Sequence, residues 1–118
     1  MNESAKYSLL SATPAATVVS LEGYVNFDTA DEIYAFIQDS LKVHSSKNLV
    51  LEVSNTEYVS SAGIGVLMAL QEQIQDAGGR VAMVNAQESL GHILGLVGAT
   101  EYFLFCETVE DAAKKLSV

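Results

Sequence analysis

The chain has 118 residues, 49% of them hydrophobic, with 8 Gly and 1 Pro; this fits one domain with its own core and not a linker or disordered tail. Six basic against 15 acidic residues leave a net charge of −9, which argues against nucleic acid and anionic membrane surfaces, since both call for Lys and Arg. A single cysteine, Cys106, rules out an internal disulfide and makes a reducing, cytoplasmic setting the expectation.

The opening Met1-Asn2-Glu3-Ser4 is not basic and no apolar run follows it, so no signal peptide is expected. No stretch approaches the ~18 apolar residues of a membrane span. Tyr7 to Ser11 and Thr17 to Glu22 read as strands, joined by a turn at Thr13-Pro14-Ala15-Ala16, with Gly23 ending the second. Thr29-x-x-Glu32 fits a capping box, with Asp28 a rival cap, for a helix whose stripe is Ile33, Phe36, Ile37 and Leu41. The strand from Asn48 to Val53 is nearly all apolar, as in a sheet covered by helices.

The next stretch, Glu57-Tyr58-Val59-Ser60-Ser61-Ala62-Gly63-Ile64-Gly65, leads into the longest amphipathic helix, about Ala62 to Ala77, stopped by Gly78-Gly79. Ile64, Leu67, Leu70, Ile74 and Ala77 form its inward stripe. At ~100° per residue, Ser61, Gly65, Met68 and Glu72 share another face. The small residues Ala62, Gly65 and Ala69 leave that face flat enough for a partner to approach. Serine caps helices, and a helix N-terminus stabilises an anion, so this turn can hold a phosphate, bound or carried on its own serine. Ser60 and Ser61 also each make sense as plain caps. No Lys-Ser/Thr follows the glycines as in a P-loop.

Arg80 to Val84 is the next strand. Asn85-x-x-Glu88 predicts the cap of a helix from Gln87 to Val97, with Leu90, Ile93, Leu94 and Val97 inward, and weakened by Gly91 and Gly95. Tyr102 to Phe105 reads as a last strand. Thr108-x-x-Asp111 opens a final helix with Val109, Ala112, Ala113 and Leu116 on one face. His44 and His92 lie on different elements without ligand-spaced neighbours, so no metal is expected. Ser61 lacks a Gly-x-Ser-x-Gly elbow and an evident base, so neither an enzyme nor a cofactor is predicted.

Alternating strands and helices predict a single α/β domain over residues 1–118, with a mixed, mostly parallel β-sheet and helices packed mainly on one face. Without a long exposed apolar strand, a monomer is expected. This order of elements resembles the STAS domain of bacterial anti-sigma factor antagonists. So do Leu49-Val50-Leu51-Glu52-Val53 followed by Tyr58-Val59-Ser60-Ser61-Ala62-Gly63-Ile64-Gly65-Val66-Leu67, and Gly23 to Thr29-Ala30. The family motif usually reads Asp-Ser-Ser/Thr-Gly; aligned on Gly63, Ser61 takes the phosphorylated position, Ser60 that of the Asp, and Asn26 that of another common Asp.

The resemblance implies partner switching. The unphosphorylated protein would bind an anti-sigma factor serine kinase through Asn26, Ser60, Ser61, Ala62, Gly65, Met68, Ala69 and Glu72. Phosphorylation of Ser61 would release the kinase, and a PP2C-type phosphatase would reset the switch. A STAS-like adaptor without a phosphorylation cycle is the alternative.

Overall fold

The computed structural model describes residues 6–116, so the expectation drawn from Met1 to Ser4 lies outside the described residues. Strands β1 (Lys6–Ala12) and β2 (Ala16–Val25) form an antiparallel hairpin, followed by helix α1 (Phe27–His44) and strand β3 (Asn48–Glu52). Strand β4 (Thr56–Val59) leads into helix α2 (Ser61–Asp76) and strand β5 (Val81–Val84). Helix α3 (Glu88–Leu96), a 3₁₀ turn (Thr100–Tyr102), strand β6 (Leu104–Cys106) and helix α4 (Val109–Leu116) complete the described chain.

The sheet order is β1-β2-β3-β5-β6, with every pairing after the hairpin parallel. Strand β2 is long enough to serve two parallel partners. Its first half, Ala16 to Ser20, pairs with β3. Gly23, at φ 82°, pairs with Thr56 of β4, and after the register skips Glu57, Tyr24 and Val25 pair with Tyr58 and Val59. Gly23 therefore bends the strand instead of ending it, as only a residue without a Cβ does cheaply at that φ. The β3–β4 turn is fastened to this bend by Gly23 N–H donating to the Asn55 carbonyl and by the buried Thr56 Oγ1 donating to the Leu21 carbonyl, at 2.9 and 2.7 Å.

Helices α1, α2 and α3 bury one face of the sheet. Ile33 and Ile37 of α1, Ile64, Leu67, Leu70 and Ile74 of α2, and Leu90 and Leu94 of α3 share a core with Val19, Leu21, Leu49, Leu51 and Met83. On the opposite face α4 alone packs Ala112 against Val18, Val50, Ala82, Val84 and Cys106. Among the described residues no helix is long and apolar enough to cross a membrane.

Several local expectations are corrected. The stretch expected as a turn contains strand β4; Thr56 and Val59 are buried and Glu57 and Tyr58 exposed, so the irregularity at Glu57 breaks the period of two that would mark a strand in the sequence. Asn26, not Asp28 or Thr29, caps α1. Its side chain accepts from Asp28 and Thr29 N–H, while Thr29 Oγ1 accepts from Asn26 N–H, a reciprocal box without Glu32. Asn85 does not cap α3: it adopts φ 59° and donates from its amide to Glu52, leaving Gln87 as a cap with no side-chain bond. Tyr102 belongs to the 3₁₀ turn rather than the last strand. Ala77, Val97 and Ala113, placed inward by spacing, are exposed: Ala77 and Val97 are the C-cap residues of their helices, and Ala113 lies beside the line of Val109, Ala112 and Leu116 that meets the core.

Candidate functional site

The site begins where β2 and β4 end side by side. Val25 pairs with Val59, and the next residue on each strand is the cap of a helix: Asn26 for α1 and Ser60 for α2. Ser60 N–H donates to the Val25 carbonyl at 2.8 Å, which ties the two caps together. Two helix N-termini, each with partial positive charge, thus share one rim of the molecule.

Ser60 is committed to structure. Its Oγ accepts from Gly63 N–H at 3.2 Å, and its carbonyl accepts from Ile64 N–H at 2.8 Å. Gly63 presses against both strands: a Cβ there would lie 2.7 Å from Val59 Cγ1 and 2.8 Å from the Val25 carbonyl oxygen. This contact aims the buried stripe of Ile64, Leu67, Leu70 and Ile74 at the sheet and leaves Ser61 pointing outward. Ser61 is the first helical residue, exposed, and its hydroxyl has no hydrogen-bond partner among the described residues. The first turn of α2 contains no acidic side chain.

The face expected from helical projection is observed. Ser61, Gly65 and Glu72 are exposed, and Ala62, Met68 and Ala69 are half-buried. Gly65 has open space where its Cβ would stand, so its smallness is not required by internal packing, unlike that of Gly63. Met68, Ala69 and Glu72 line a groove of about 560 Å³ that runs to Tyr102. Asn26 is half-buried and belongs to the same rim through the Ser60–Val25 bond.

Sequence reasoning missed the aromatic surface of this rim. Phe27, the first residue of α1 as Ser61 is of α2, is 82% exposed. Tyr24 and Tyr58, one residue before the paired valines, place their rings 5.8 Å apart on the outer side of the strands. The available signal was a large apolar residue immediately after a cap, ahead of the buried stripe that starts at Ala30. His44 lies at the end of α1 and His92 on α3.

Residues 7–112 match the family model described as the STAS domain. A curated relative, the "Anti-sigma F factor antagonist" of Paenibacillus polymyxa, is 21% identical over 101 residues, 86% of each chain. An anti-sigma factor antagonist from Mycobacterium paratuberculosis superposes with a TM-score of 0.84 at 22% identity, covering 100% of this chain and 98% of that one. The antagonist SpoIIAA in its unphosphorylated form superposes at 0.82 and 16% identity, covering 95% and 96%. SpoIIAA from Bacillus in its phosphorylated form gives 0.74 at 16%, covering 93% and 98%. At these identities the structural likeness shows the fold.

Proposed function

The chain belongs to the STAS domain family, and from that premise we propose that it is a cytoplasmic anti-sigma factor antagonist that works by partner switching, without enzymatic activity of its own. In its unmodified form it binds an anti-sigma factor serine kinase through the outward face of α2 and the adjoining rim at Asn26. The kinase transfers the γ-phosphoryl group of ATP to Ser61 Oγ, releasing ADP, and the complex separates. A PP2C-type phosphatase hydrolyses the phosphoserine and restores binding.

The observation that carries this reading is the Ser61 hydroxyl, exposed and without a hydrogen-bond partner at the first position of α2, while its neighbour Ser60 supplies the cap. A residue needed only as a cap would be the one bonded to Gly63 N–H. Phosphorylation adds about −1.5 to −2 charges. The helix N-terminus accommodates them at the fold's own surface. A partner packed on Ser61, Gly65 and Met68 would have to desolvate them, and an affinity loss of ~3 kcal/mol is about two orders of magnitude. The switch then needs local charge and no change of shape.

Ser61→Asp is expected to weaken binding to the kinase about a hundredfold in calorimetry, with an unchanged melting temperature; Ser61→Ala should still bind. Mass spectrometry of the protein from its own cells should place phosphate on Ser61. Retained affinity in Ser61→Asp, together with no phosphate under any growth condition, would leave a non-phosphorylated STAS adaptor as the function. The structural commitment of Ser60 and Asn26 as caps favours that second reading if the phosphate is missing, because neither position then holds the carboxylate usual beside the family's phosphoserine.

A further inference from the structure

A cleft of about 470 Å³ opens between the C-terminal halves of α1 and α2, at the end of these helices away from Ser61. Leu41, Ile74 and Ala77 give it apolar surface, and Lys42 and Lys47 stand on its rim with Asp39. The volume lies within the range of sites for small organic ligands. By comparison, the recess between Tyr58 and Ile93 holds only about 50 Å³, and the groove beside Met68 and Glu72 belongs to the proposed partner face.

The charge at this cleft runs against that of the molecule. The chain carries net −9 with six basic residues, and two of the six meet here. Among the described residues neither Lys42 nor Lys47 has an ion-pair partner; the salt bridge found is Lys115–Asp111. The rim is also held in place. Lys47 N–H donates to the Pro14 carbonyl at 2.9 Å, and its own carbonyl sits where a Cβ on Gly79 would be, 1.9 Å away. Across the two helices, Gln38 Nε2 donates to Gln73 Oε1 at 3.0 Å. The pattern is an apolar floor, a rim whose backbone and glutamines are held in place, and two exposed ammonium groups against one carboxylate.

We propose that this cleft binds a small amphiphilic carboxylate, its chain on Leu41, Ile74 and Ala77 and its head group between Lys42 and Lys47. A free molecule fits better than a lipid in an anionic bilayer, which the overall charge repels.

The test is a methyl-NMR titration of the full chain with sodium octanoate, alongside octanol and inorganic phosphate. Saturable shifts of the Leu41, Ile74 and Ala77 methyls are expected, with a dissociation constant around 1 mM, the range open to so small a ligand. Octanol and phosphate should each bind more weakly than octanoate. The double variant Lys42→Glu/Lys47→Glu should weaken octanoate about tenfold, and Asp39→Asn should tighten it. No shift at these methyls, equal binding of octanol or phosphate, or undiminished binding by the folded double variant would each overturn the proposal. No partner protein is involved, so the outcome is independent of the role of Ser61.

Discussion

A methyl group on Gly63 would collide with Val59 Cγ1 and with the Val25 carbonyl oxygen, and the oxygen is backbone that cannot rotate aside. Gly63→Ala should therefore cost about 1–3 kcal/mol, read as a lowered melting temperature, through overpacking at the joint between α2 and the strands. Gly65, two residues on, faces open space. Gly65→Ala should leave the stability unchanged or raise it by up to about 1 kcal/mol through helix propensity, read in the melting temperature. The same substitution adds a methyl to the proposed partner face, so its effect should appear in binding instead of stability. The pair separates a glycine required by the fold from one left free for contact, a distinction invisible in the letters Gly-Ile-Gly.

Helix α3 is weakly built. Its cap, Gln87, makes no side-chain bond, it has two internal glycines, and only Leu90 and Leu94 are fully buried. Gly91 has no atom within 4 Å of its missing Cβ. Gly91→Ala should stabilise the protein by about 1 kcal/mol and slow amide exchange within α3; unchanged exchange would show that the substitution does not stabilise α3. Elements with a long period were legible in the sequence: α1, α2 and the apolar strand β3 stand close to where hydrophobic spacing puts them. What escaped was decided by partners far along the chain. Strand β4 exists because Tyr58 and Val59 lie beside Tyr24 and Val25, more than thirty positions earlier. The choice between Ser60 and Ser61 as cap depended on which oxygen reached Gly63 N–H. The outward direction of Ser61 was readable, since helical projection needs only a known inner stripe. The exposure of Phe27 becomes readable only once Asn26, rather than Asp28 or Thr29, is taken as the cap of α1.

At the scale of the whole molecule, the two sheet faces differ in how they are closed. Three helices cover one, and α4 alone covers the other, where the buried Cys106 touches the smaller core. Burial pushes the Cys106 thiol above its usual 9.0. The folded state thus holds this proton more tightly than the unfolded chain, so the contribution is intact below the unfolded value and is lost as pH rises through the folded one. Stability should fall above about pH 9. Cys106→Ala should flatten that alkaline limb in denaturant titrations at successive pH values; an identical slope would place its origin elsewhere. Tyr7, whose hydroxyl donates to Glu32, is shifted in the same direction by that bond, so Tyr7→Phe is the companion measurement.

Strand β2 is paired with β1 from Thr17 to Glu22 and with β3 and β4 in succession. These contacts differ in the length of chain that must close. The hairpin with β1 closes over a few residues, whereas the second half of β2 must wait for α1 and β3 to be traversed before β4 can dock. The two caps of the rim that presents Ser61 come into register only when β4 reaches Val25. A half-folded chain has the serine but not the surface around it. The surface around Ser61 is thus a property of two paired strands and not of the local sequence alone.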